Sequence, residues 1–320
     1  MKQKKNIYRR LLTCCVIAAA LASCRDQFDL NQLQNPSKLV VYCFPSDADT
    51  TYISVTNSVG VKKYADTHKI HNIAGARVSY TVNGQPRPVS QQADGTFYVV
   101  GTHQPGDHVS ISVEHPDYAT VSAQTTVPEQ VPVELKDVRE VMEYDSYWLE
   151  MGHYYQLRAT FTDPVASTDY YAVRVRVYGI VGDNHPMEFW PDIATIDEPQ
   201  LQGLSDIDGD FGFENEYYQH FYIFNDQGIN GQTYTMHLDI QAQHYSDNPE
   251  EPARYQVLLY KIAPEYYRFL KSINEVENNE LARSGFAQLM PTYTNIRQGA
   301  GVLGGYWWQA SNWCELTEEK

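Results

Sequence analysis

Several groups of residues have types and spacings that could do chemistry. Gly299, Gly301 and Gly304 spell G-x-G-x-x-G. A dinucleotide site needs that string to open a helix, whereas "GYWWQASNW" follows here. The glycines are therefore expected to permit a tight turn or bulge before an aromatic strand. Asp206, Asp208 and Asp210 stand at i, i+2, i+4 in "DIDGDFGFENE". Carboxylates so spaced can turn inward on a tight loop and bind calcium, a hard cation that takes oxygen ligands. The helix-loop-helix calcium pattern wants Gly where Phe211 sits and Glu where Tyr217 sits. A solvated acidic loop is the preferred reading, with calcium as the alternative. His68 with His71, and His237 with His244, could each offer a metal edge, but neither pair has a cysteine or carboxylate at zinc-site spacing. The sequence contains neither H-E-x-x-H nor G-x-S-x-G. Paired carboxylates could hydrolyse a glycosidic bond, but 40 acidic residues make chance pairs inevitable. Trp190, Trp307, Trp308 and Trp313 could line a sugar platform; Trp307 and Trp308 are adjacent, so on a strand they face opposite sides.

Cys24 has the most specific setting. Lys2, Lys4, Lys5, Arg9 and Arg10 precede an apolar or small run from Leu11 to Ala22. A basic start, a short apolar run and a small-residue exit make a secretory signal peptide, and the run falls short of the roughly 20 residues that span a bilayer. The exit, Leu21-Ala22-Ser23-Cys24, resembles the bacterial lipobox. There the cysteine thiol takes a diacylglycerol, a peptidase cuts before it, and the new amine is acylated. Each buried CH₂ is worth about 0.8 kcal/mol, and one chain anchors only marginally whereas several hold. The expected molecule is lipid-anchored through Cys24 and does not span the membrane.

Removing residues 1–23 takes away five basic and no acidic side chains, leaving 19 against 40 and a net charge near −21. Such a chain is unsuited to nucleic acid, which needs a basic surface, and to electrostatic docking on anionic lipid. Beyond Cys24, only Cys43 and Cys314 follow the signal. In an oxidising compartment they form a possible disulfide between the first strand and the C-terminal tail, or stay buried and unpaired.

The elements that must position these groups are mostly strands. Twenty-five tyrosines favour β-structure. After a polar tether at 24–36, residues 37–128 alternate with period two between turn pairs such as Asn83-Gly84 and Asp94-Gly95. That pattern predicts an antiparallel, immunoglobulin-like or transthyretin-like β-sandwich. "VPEQVPVEL" (127–135) reads as a junction, and residues 129–320 as a second β-rich domain. In it Tyr171, Val173, Val175 and Val177 oppose Arg174 and Arg176. One stretch breaks the β pattern. Tyr266, Phe269, Leu270, Ile273 and Val276 lie at helical spacing after Pro264, predicting a helix at about 264–283.

Five stretches in order carry a family resemblance: "KLVVYCFPSDADTTYISVTNS", "IAGARVSYTVNGQ", "FNDQGINGQTYTMHLDI", "APEYYRFLKSI" and "NIRQGAGVLGGY". With the lipobox, they make nearly the whole mature chain resemble a lipoprotein family of the Bacteroidota, domain-of-unknown-function family 4249. The resemblance implies an outer-membrane lipoprotein, often encoded beside a TonB-dependent receptor, with no established activity, no cofactor and no catalytic residues. It also implies that acidic residues after the lipidated cysteine favour the cell surface over the periplasmic face. Asp26 and Asp29 fit this, while Arg25 departs from it. The expectation is a non-enzymatic accessory protein working with a TonB-dependent transporter. The alternatives are a glycan-binding module using surface Tyr and Trp, and a hydrolase with carboxylates on the 179–216 loops.

Overall fold

The period-two stretches become strands because alternate residues find an apolar core on one side. The computed structural model describes residues 37–58, 72–145, 150–165, 167–182, 185–195, 197–202, 221–279 and 291–317. The described residues from Lys38 onward belong to one compact unit.

The first core lies between two sheets. One contains β1 (Leu39–Cys43), β2 (Thr50–Asn57), β5 (Ser90–Gln91) and β6 (Phe97–Val100), and is completed from far along the chain by β17 (Ala300–Leu303), in the order β17-β1-β2-β6-β5. The other is β4 (Gln85–Arg87), β3 (Arg77–Val82), β7 (His108–His115) and β8 (Tyr118–Thr126) in that order. Val41, Ile53 and Val99 of the first meet Tyr80, Ile111 and Val121 of the second. Asn83 and Gly84 link β3 to β4 with φ of 52° and 76°. Both being positive, they suit the turn that follows the strands' own twist.

A second sandwich follows. Its four-stranded sheet is ordered β13 (Ile193–Ala194), β15 (Thr233–Gln241), β10 (Glu150–Thr162) and β9 (Val133–Asp145). The facing sheet is ordered β12 (His185–Phe189), β11 (Tyr170–Val181), β16 (Arg254–Ile262) and β18 (Tyr306–Ala310). β14 (Ile223–Asn225) pairs with β11, and β19 (Cys314–Glu315) with β16. Leu157, Phe161, Met236 and Leu238 pack against Val173, Val175, Val257 and Leu259.

Helix α1 spans Pro264–Asn278, with Pro264 in its first turn; residues 280–283 of the expected helix lie outside the described residues. Its apolar stripe closes a third cluster. Phe269 and Leu270 are buried with Ile262 and Val302, and Tyr266 and Ile273 pack alongside. Val276 is only half-buried. The helix rings reach both sandwiches: Phe44 lies 4.8 Å from Tyr266 and Tyr170 lies 4.6 Å from Tyr267, centroid to centroid. Asn274, fully buried, substitutes for a strand partner. Its Oδ1 accepts from Phe221 N at 3.0 Å and its Nδ2 donates to Phe221 O at 2.9 Å.

The segment "FNDQGINGQTY" is held by buried carboxylates. Asp163 accepts from Tyr171 Oη at 2.5 Å and Gly231 N at 2.9 Å. Asp226 accepts from Asp169 N at 2.9 Å and Asn230 Nδ2 at 3.0 Å. Lys261 Nζ lies 2.9 Å from Asp169 Oδ2, both side chains being buried. Removing one partner of a buried pair strands the other charge, at about 3–5 kcal/mol. Lys261→Met should therefore lower the unfolding free energy by that amount in denaturant titration, and adding Asp169→Asn should restore much of it. A single variant within 1 kcal/mol of wild type would show that the pair does not hold this segment.

Candidate functional site

On β11 the alternation that buries Val173, Val175 and Val177 sends Arg174, Arg176 and Tyr178 to the opposite face. Across the ladder, Arg174 stands beside Leu258, Arg176 beside Gln256 and Tyr178 beside Arg254. Near Tyr170 and Tyr260 this outer face packs into the helix cluster. At the other end the face carries interleaved cations and rings. Arg174 Cζ lies 4.5 Å from the centroid of Trp190, which is 42% exposed. Arg176 Cζ is 5.8 Å from Trp190 and 5.1 Å from Trp313. Arg254 Cζ is 4.8 Å from Tyr178 and 5.8 Å from Trp313.

Arg176 is further fixed from two sides: its Nε donates to Gln256 Oε1 at 3.1 Å and its Nη1 lies 3.5 Å from Glu188. Gln256 is held in turn, its Nε2 donating to Ser311 O at 2.6 Å. The field of these cations reaches Tyr260. Burial pushes its phenol up, while Arg174 and Arg176 oppose that rise. A guanidinium stacked on a ring keeps its in-plane N–H donors free to fork onto an oxyanion. Chemically this face can bind anions and stack flat groups.

The outer face of the other sheet carries a different arrangement. Gln156 and Asp239 are register partners on β10 and β15, and the residues after β13 lie over them. Gln156 Nε2 donates to Asp239 Oδ1 at 3.1 Å and Asp197 Oδ2 at 3.2 Å. His237 Nδ1 lies 3.1 Å from the same Asp197 oxygen. Glu198 accepts from Tyr234 Oη at 2.7 Å, Gln200 N at 3.0 Å and His237 N at 2.9 Å. Asp239 is fully buried and its Oδ2 has no hydrogen-bond partner among the described residues. Burial pushes its carboxyl up to about 7, with Asp197 and Glu143 adding to the rise. Burial also raises Glu198, against its hydrogen bonds. Nearby, the guanidinium of Arg158 hydrogen-bonded to Asp137 holds that carboxyl below the usual range.

The residues singled out from the sequence are dispersed. Cys24, the tether, His68, His71 and the acidic triplet Asp206, Asp208 and Asp210 lie outside the described residues. Cys43 and Cys314 are both free thiols. Cys43 is fully buried in the first core, and Cys314 packs at the second, its Sγ 3.4 Å from Leu135 O. The two thiols thus pack in different clusters and are not bonded to each other. His237 and His244 point to separate carboxylates, Asp197 and Asp247. Among the described residues no group of three or more His, Cys, Asp or Glu side chains is arranged to hold a metal ion. Gly301 sits at φ 93°, where a Cβ would come within 2.1 Å of Val41 O, and a Cβ on Gly305 would lie 2.5 Å from Thr126 O. The glycine string serves close backbone approach before the aromatic strand β18. Trp307 and Trp308 do face opposite sides: Trp307 packs on the first core and Trp308 stacks on Tyr260 at 6.3 Å. The Arg174–Arg176 alternation was visible in the sequence, but its partners Trp190, Trp313 and Arg254 come from distant segments. Asp239 gave no local signal beyond an acid inside a strand.

A neutral Asp239 is favoured by the fold, so its contribution to stability is full at acid pH and is lost as pH rises through about 7. Asp239→Asn, which cannot ionise, should raise the melting temperature at pH 8 by on the order of 5 °C relative to wild type. The advantage should vanish near about pH 3.5, below the pKa of an unfolded aspartate. An equal shift at both pH values would mean that Asp239 does not titrate within the fold.

Compared with known families, residues 25–311 match the model described as a domain of unknown function, DUF4249. The chain belongs to that family. No curated protein matches it.

Proposed function

We propose that this DUF4249 member is a lipid-anchored, non-enzymatic binding protein of the outer membrane, displayed at the cell surface and accessory to a TonB-dependent transporter. The observation that carries the anchor is Leu21-Ala22-Ser23-Cys24, following a basic start and a short apolar run. Acylation of Cys24 supplies the attachment; among the described residues no helix is long and apolar enough to cross a membrane. Asp26 and Asp29 after the cysteine support the surface-facing leaflet.

A binding role for the body is supported by the exposed Arg–Trp face of the β11–β16 sheet. That face gives specific form to the reading as a glycan-binding module. The described carboxylates of the 179–216 loops each have a hydrogen-bond or ion-pair partner. Glu198 and Asp197 fasten the loop to β10 and β15, Asp192 Oδ1 accepts from Tyr222 Oη at 3.3 Å, and Glu188 pairs with Arg176.

Cys24→Ala should leave the β-body folded and release the protein from outer membranes. Fractionation with a carbonate wash checks this: the variant is expected in the soluble fraction and wild type in the pellet. A variant that still pellets after the wash would contradict the anchor.

A further inference from the structure

We infer that the Arg–Trp face of the β11–β16 sheet is a binding site for acidic glycans. Uronate carboxylates would be held by Arg174 and Arg254, and pyranose rings would lie on Trp190 and Trp313. The inference rests on the binding role proposed above and names its ligand.

Charge complementarity is the first argument. In a chain of net charge −16, three guanidinium groups gather on one side of one sheet. Among the described residues only Arg176 of the three has a carboxylate within ion-pair distance, Glu188 at 3.5 Å. Glu315 stands opposite Arg254 in register but forms no ion pair with it. Arg174 and Arg254 thus carry charges that no acidic side chain among the described residues pairs with.

Pre-organisation is the second. Arg174 and Arg176 are two residues apart on one strand, so their side chains emerge about 6.4–6.8 Å apart on the same face. Arg254, beside Tyr178, continues the row. Each guanidinium is already stacked on a ring, so little side-chain freedom is lost when an oxyanion is gripped.

The rings decide the class of ligand. Bracing the sheet would itself account for a cation–π ladder. It would not require an indole to remain 42% exposed, as Trp190 does. Open indole surface accommodates the apolar face of a sugar, and the neighbouring arginines select sugars that carry carboxylates. An acidic peptide would use the arginines but not the rings.

Calorimetric titration of the detergent-solubilised full chain tests this independently of where the anchor places it. The probes are a galacturonic acid oligomer, a hyaluronan fragment, the methyl-esterified galacturonate oligomer and poly-glutamate. Binding of at least one acidic saccharide is expected, at least about tenfold tighter than the ester or poly-glutamate. Arg174→Gln and Arg254→Gln should each weaken it about tenfold, the loss expected for one hydrogen-bonded charge pair. Trp190→Ala should weaken it as well, with melting temperatures unchanged. The inference is overturned if neither acidic saccharide binds, if the ester or poly-glutamate binds equally well, or if the variants bind like wild type.

Discussion

The structure depends on how closely two backbones can approach. β17 runs parallel to β1, with Gly301 opposite Val41. There the chain passes so near the Val41 carbonyl that a Cβ would lie 2.1 Å from its oxygen. A strand from near the end of the chain can therefore complete the first sheet only if that position is glycine. The approach is repeated a few residues on, where Gly304 N donates to Cys43 O at 3.0 Å and Gly305 N to Thr125 Oγ1 at 3.1 Å. Leu303 then enters the first core.

From this closure the rest of the arrangement follows. The same segment continues into β18 and joins β16 of the second sandwich. Ala263 N, immediately before the helix, donates to Gly305 O at 2.8 Å. One short stretch thus borders both sandwiches and the start of α1. Val302 is shared with the helix cluster, which packs one end of the β11–β16 face. The other end keeps the arginines and indoles. The glycines that permit close approach and the cationic face are linked through this one path of chain.

Much of this was legible locally and some was not. Alternation is a property of neighbouring residues, so β11, with its valines inward and arginines outward, could be read directly. So could the helix, because Pro264 and the spacing of Tyr266, Phe269 and Leu270 are local signals. The turn at Asn83-Gly84 needed only two residues that tolerate positive φ. The pairing of Val41 with Gly301 could not be read, because it joins segments far apart in sequence through backbone atoms that carry no side-chain signature. The same holds for Trp190 and Trp313, which both lie within about 6 Å of the Arg176 guanidinium. It also holds for Asp239, whose burial comes from the chain after β13. Cys43 and Cys314 were eligible partners by number alone. Their placement in separate cores is a tertiary fact.

The 300–310 segment ties both sandwiches and the helix into one unit. Hydrogen exchange of a Gly301→Ala variant measures this most directly, because local opening is read strand by strand. The added methyl must displace β17 or β1. Amides of β1 and β2 are expected to lose protection together with those of β16 and α1. Loss confined to β1 and β17, with β16 and α1 exchanging as in wild type, would contradict it.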